Sequence, residues 1–155
     1  MENTRECSSC GKNKPKTDFS ANKKTCMACK TRKHQQTVSG NHEAFLRDLY
    51  AKAKYAVNKG TRKEHVEWRI AVNDLVALWA KQEGRCAISG VVLTHHKDGS
   101  GRKDFNASID RINNDRSYSP DNIQLVCFRV NIMKHNLSED MFHWWIRTIN
   151  DFSCH

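Results

Sequence analysis

The sequence predicts an α+β protein, in which a small β-hairpin-plus-helix core carries flanking helices and is preceded by a metal-binding module. Three observations lead there. Residues 6–36, ECSSCGKNKPKTDFSANKKTCMACKTRKHQQ, contain two C-x-x-C pairs, Cys7/Cys10 and Cys26/Cys29, separated by fifteen residues. Residues 106–126, NASIDRINNDRSYSPDNIQLV, read as strand, polar turn and strand. Between and after these stretches, apolar residues recur mostly at helical spacing.

A chain of 155 residues with 38% hydrophobic content fits one ordinary domain, or a small core with an appended module. Its apolar core is expected to be modest and reinforced by other means. No run approaches the roughly 18 apolar residues of a membrane span, and no basic-then-apolar leader opens the sequence. The expected location is therefore intracellular. In a reducing compartment, the seven cysteines point to metal rather than to disulfides.

The formal charge of +9 is unevenly placed. Residues 1–40 carry nine Lys/Arg against three acids, residues 41–65 six against three, and residues 66–155 eleven against eleven. The whole excess thus lies in the first 65 residues, as an electropositive arm for a polyanion would have it. A solvated lysine-rich surface has the same composition.

Two residues between cysteines let both thiolates of a knuckle face one ion. Two such knuckles complete a tetrahedral four-sulfur site, which suits zinc and leaves no open position for catalysis. Cys7, Cys10, Cys26 and Cys29 are therefore expected to form a structural zinc site that largely creates the fold of its segment. A polar link, His34 to Gly40, follows. Phe45, Leu46, Leu49, Ala53, Ala56 and Val57 then recur at helical spacing up to a stop at Gly60, with Arg47, Lys52, Lys54 and Lys59 on the other face.

HVEWRI alternates like a strand. Asn73 is placed to cap a helix containing Leu75, Val76, Leu78 and Trp79 that ends at Gly84. CAISGVVLT (86–94) reads as a strand pair or knuckle, followed by a glycine-containing loop. After the 106–126 hairpin, CFRVNIMKHNL looks helical, with Phe128, Ile132 and Met133 turned inward. Ser138 is placed to cap a last helix whose Met141, Trp144, Trp145 and Ile149 are expected to pack on the core.

Asp110 and Arg111 close the first strand of the hairpin, and Asn131 and Lys134 lie one turn apart on the following helix. That order can bring a carboxylate and an amide oxygen to one ion. Oxygen donors favour a hard cation, Mg²⁺ or Mn²⁺, and such a cation can polarise a phosphodiester. Lys134 and Arg111 are suited to neutralising charge that develops on the phosphorus.

In SIDRI, SYSPDNIQLVC and VNIMKHNLS, preceded by QEGRCAISGVVLTH, the chain resembles the HNH (ββα-metal) endonucleases, especially small phage-type members with a fused four-cysteine zinc module. The likeness runs from Asn73 to Ser138. It implies a ββα-metal core that hydrolyses double-stranded DNA to 5′-phosphate and 3′-hydroxyl ends, with the host cytoplasm as location if the chain is phage-encoded. It further implies Asp110 as the metal-binding acid, Asn122 as the side chain that braces the turn, and Asn131 as the metal ligand on the helix. Arg111 stands where the family's general-base histidine usually follows the acid. The base then falls to His95, in the place where members with Asp-Arg show Thr-His, with His96 and Tyr118 as alternatives, while His135 could face DNA. The second zinc site that often staples this motif is incomplete, with Ser89 and Val130 where its partner cysteines would be. Cys86 and Cys127 are thus expected to be packed thiols.

The expected organisation is a zinc module at 1–40, a basic helix and linker at 41–65, and the nuclease core with its C-terminal helix at 66–155. A homodimer is compatible with this order. The competing reading, fed by Arg111, is a non-catalytic zinc-containing DNA-binding protein with a retired nuclease core. A purely structural zinc protein would explain the cysteines but not the hairpin.

Overall fold

The computed structural model describes residues 3–60, 66–97, 99 and 103–154. Residues 61–65 of the expected linker, and most of the glycine-containing loop at 98–102, lie outside them. The architecture is α+β as expected, with two separate antiparallel hairpins and five α-helices among the described residues. None of these helices is long and apolar enough to cross a membrane.

The first hairpin, β1 (Thr4–Glu6) and β2 (Asn13–Pro15), bends the chain around the first cysteine pair. The chain then returns through Cys26 into helix α1 (Met27–Gly40). The polar stretch from His34 to Gly40, expected as a link, is the second half of this helix. It has no turn residue before Gly40, and its Val38 is buried in the main core. Asn41 separates α1 from α2 (His42–Asn58), its side-chain oxygen accepting from the amides of Glu43 and Ala44 at 2.8 and 3.4 Å. That is a standard N-cap.

Helix α2 lays Phe45 and Leu46 into the same core as Ile70, Leu75, Ile109, Leu125 and Val126. Its Asp48 pairs with His34 of α1, with Lys52 one turn on, and with Lys97. Burial pushes the Asp48 carboxyl up, but hydrogen bonds from Lys97 and Lys52 outweigh it and hold the group below its ordinary range.

The described part of HVEWRI, residues 66–70, is not a strand. Among the described residues, Trp68 makes one isolated parallel bridge to Tyr118, on which its ring packs at 4.9 Å between centroids. Helix α3 (Val72–Lys81) starts at Ala71 rather than Asn73, because the Asp74 carboxylate accepts from the Ala71 amide at 2.7 Å. It ends where expected. Gly84 has φ +65, and a Cβ there would lie 3.3 Å from the Trp79 ring. Residues 86–94 form a knuckle: the Ser89 amide points at Cys86 Sγ (3.4 Å) and the Gly90 amide at the Cys86 carbonyl (2.9 Å). Cys86 and Cys127 are both buried.

The second hairpin pairs β3 (Ala107–Arg111) with β4 (Ile123–Cys127) in the register Ala107↔Cys127, Asp110↔Gln124 and Arg111↔Ile123. Helix α4 (Phe128–Lys134) follows at once, completing a ββα unit. Asn122 braces the turn. Its oxygen accepts from the Asn113 amide at 2.9 Å, and its nitrogen donates to the carbonyls of Asn113 and Ser117, both at 3.0 Å. Because the residue is fully buried, Asn122→Ala would strand three backbone groups. The expected loss is about 2–4 kcal/mol, read as a shift of the urea midpoint without a change in slope.

Two packing expectations are corrected. Phe128, Ile132 and Met133 of α4 are exposed, and the residues turned inward are Val130 and Lys134. On so short a helix the apolar count does not set the buried face; the Asp110–Lys134 pair does. In α5 (Glu139–Ser153), capped by Ser138 as expected, only Phe142 is buried. Met141, Trp144, Trp145 and Ile149 stand exposed, with the two indoles packed edge to face on each other. Periodicity revealed an amphipathic helix, but it cannot say how far along its length a core extends to meet it.

Candidate active site and metal centre

Strand alternation sends Ala107 and Ile109 to the core and turns Ser108 and Asp110 toward α4. Asn131 and Lys134, three apart on α4, meet them there. The Asn131 amide nitrogen donates to Ser108 Oγ at 2.6 Å and lies 3.4 Å from the Ile109 carbonyl. Lys134 is 0% exposed, and its ammonium contacts both Asp110 oxygens at 3.1 Å and the Arg111 carbonyl at 3.0 Å. The structure therefore joins Asp110 to Lys134 and sets Asn131 beside them.

Two further residues belong to this cluster and were missed in the sequence. Gln124, the cross-strand partner of Asp110, donates to its Oδ2 at 3.0 Å and to Glu139 Oε2 of α5 at 3.2 Å. A glutamine inside an otherwise apolar, wholly buried strand was the available signal for the first. Nothing in the sequence flagged Glu139 beyond its place in the first turn of a helix.

The Arg111 guanidinium turns to Tyr118, and each candidate base has contacts of its own. The Arg111 guanidinium lies 5.3 Å over the Tyr118 ring and donates to the Arg116 carbonyl at 2.9 Å, on the opposite face of β3 from Asp110. Tyr118 is buried beneath it. The His95 ring packs among Trp79, Phe45, His42 and His96 at 6.2–6.5 Å between centroids, and its buried Nδ1 has no hydrogen-bond partner among the described residues. His96 is held through its backbone: its amide donates to Asn106 Oδ1, and its carbonyl accepts from Asn106 Nδ2. His135 is exposed beyond α4, with φ +50.

A divalent cation fits the Asp110–Asn131 pair by donor chemistry, since a carboxylate and an amide oxygen are the hard donors it prefers. A carboxylate offers about four acceptor positions. Lys134 and Gln124 occupy three of those of Asp110. An ion there would have few protein ligands and a mostly aqueous shell.

The four-cysteine centre is much better defined. The Sγ atoms of Cys7, Cys10, Cys26 and Cys29 lie within 4.8 Å of one another, and among the described residues no other group of three or more His, Cys, Asp or Glu is so arranged. Amides of Cys26 and Ser9 point at Cys7 Sγ at 3.3 and 3.4 Å. The Cys26 amide above all pulls the Cys7 thiol down to about 6, while its hydrogen-bonded neighbour Cys26 pushes the Cys29 thiol up to about 11. Four convergent sulfurs with amides aimed at a thiolate suit a tetrahedral metal such as zinc.

The apolar cluster of this module contains only Phe19 besides its cysteines. Metal removal should therefore unfold residues 3–30 while the core around Leu125 survives. Elemental analysis should find one zinc per chain. After chelation, NMR should show the cysteine-module resonances collapsing and those of the core unchanged; two zinc equivalents would instead implicate Cys86 and Cys127.

No protein-family model matches this chain, and no curated protein matches it. Among solved structures it is similar to the rare-cutting HNH restriction endonuclease PacI, at 19% identity over 95% of this chain and 94% of that chain, with a TM-score of 0.42.

Proposed function

We propose that this chain is a metal-dependent DNA endonuclease whose ββα unit hydrolyses phosphodiester bonds, with a zinc-held module at its N-terminus. The observation that supports the reading best is the meeting of Asp110, Asn131 and Lys134 on one face of the β3–β4 hairpin, with the turn braced by Asn122. Asp110 and Asn131 would hold Mg²⁺ or Mn²⁺, which supplies Lewis-acid stabilisation of the leaving oxygen. Gln124 orients the Asp110 carboxylate, and the buried Lys134 balances its charge.

We assign the general base to His96 rather than to His95. His95 packs on Phe45 of α2, and Lys97 turns to Asp48 of the same helix. Thr94 pairs in parallel with Asn106, so the chain here runs alongside β3. The His96 ring stands 6.3 Å from that of His95, outside the enclosure that Phe45 and Trp79 make around His95. An imidazole there can take a proton from an attacking water near neutral pH.

One observation favours the second reading, a DNA-binding protein with a retired core. Asp110 is already neutralised by a fully buried ammonium, which lessens its attraction for a cation. Supercoiled plasmid incubated with Mg²⁺ or Mn²⁺, with and without chelator, separates the two. Chelator-sensitive nicking or linearisation is expected. Binding without cleavage under either metal would establish the retired core.

A further inference from the structure

Helix α1 and the two cysteine knuckles enclose a groove of about 770 Å³ on the zinc module. One wall carries Lys30, Lys33 and Thr37, spaced i, i+3 and i+7 and therefore on one face of α1. The other carries Lys23, Lys24 and Thr25. This second wall is fixed, because Ser8 of the first knuckle ties to it through its amide (3.0 Å) and hydroxyl (3.2 Å), both on the Lys24 carbonyl. A further hydrogen bond joins Ser8 Oγ and Thr25 Oγ1 at 3.1 Å. Among the described residues, none of the four lysines pairs with a carboxylate. Four free ammonium groups outweigh the double negative charge of a zinc tetrathiolate beneath them.

We propose that this groove is a second DNA site, which grips the phosphate backbone of one strand of the duplex apart from the ββα centre. It rests on the reading that DNA is the partner, and it names where much of the affinity resides. From Lys30 to Thr37 the helix rises about 10 Å, so its ammonium and hydroxyl groups reach neighbouring phosphates of one strand. The lining offers ammonium and hydroxyl donors but no Arg, Asn or Gln, the side chains that read base edges in pairs. Binding here is therefore electrostatic and independent of sequence. Since both walls are hung from the four cysteines, the metal that folds the module also sets the width of the groove.

The test is fluorescence anisotropy of the full chain with a duplex oligonucleotide across a salt series, in buffer free of added divalent ions. Lys30→Gln/Lys33→Gln should lower the slope of log affinity against log salt by about 2, close to 0.9 for each phosphate no longer neutralised. Affinity at about 0.1 M salt should fall at least about tenfold. Zinc content and the thermal melt should not change. Lys12→Gln/Lys14→Gln removes equal charge from the β1–β2 hairpin, outside the groove, and should lower the slope less than half as much. Equal losses from the two pairs, or no loss from the groove pair, would overturn the proposal. Plasmid cleavage measured in parallel keeps the readings apart. A wild type that cuts while the two pairs behave alike removes only the groove. A wild type that never cuts, with binding weakened in the groove pair, removes only the nuclease.

Discussion

Asp110→Asn is expected to abolish plasmid cleavage in both Mg²⁺ and Mn²⁺ while DNA affinity changes little, because the buried carboxylate is a cation ligand rather than a phosphate contact. The substitution keeps the shape and the hydrogen bond from Gln124 but removes the charge that a divalent ion needs. It also leaves Lys134 unpaired, so a folded sample must be verified before its rate is read. Asn131→Ala supplies an independent check. It removes the other candidate ligand, disturbs only bonds to Ser108 and the Ile109 carbonyl, and should also lower the rate severely. His96→Ala should slow cleavage by roughly 10²–10⁴, the usual worth of a positioned base. His95→Ala should instead act on stability, since its ring fills space between Phe45 and Trp79. If His95→Ala proves the slow variant and His96→Ala cuts normally, the base assignment reverses. If both cut normally, the proton goes elsewhere.

What the sequence revealed and what it hid divide along a physical line. Signals written in local chemistry were readable: the paired C-x-x-C knuckles, the Ser119-Pro120-Asp121-Asn122 turn, the stops at Gly60 and Gly84, and the cap at Ser138. Each depends on residues within a few positions of one another. The brace made by Asn122 was legible only through family resemblance, because its three partners cross the whole turn. Features set by distant partners were not legible. Helix α4 turns on a buried lysine because its ion partner sits 24 residues earlier on β3. Likewise α5 keeps its indoles exposed because the core reaches only its first turn, at Phe142. Gln124 and Glu139 joined the site through a cross-strand register and a helix approach that no single-chain periodicity encodes. The expectation that Lys134 would face developing phosphate charge likewise treated it as a surface cation, whereas it is enclosed.

Lys134→Met should be the most destabilising single change in the core, at about 3–5 kcal/mol, because it leaves the Asp110 carboxylate buried beside an apolar chain. For a chain of this size that is on the order of a 10 °C fall in Tm. The double variant Asp110→Asn/Lys134→Met should recover most of the loss. It removes both charges while keeping volume, and such replacements of buried pairs are often neutral. A double-mutant cycle in urea gives the coupling directly. If the single variants add without coupling, the ion pair is not what holds α4 against the hairpin. The same double variant also bears on why the pair is there. A hairpin that needed only packing would be as well served by the apolar pair, so a double variant that is stable, binds DNA and no longer cuts assigns the ion pair to chemistry. If the wild type has no cleavage to lose and the double variant matches it in fold and DNA binding, Asp110 and Lys134 are structural, and the hairpin serves as a scaffold for the basic module in front of it.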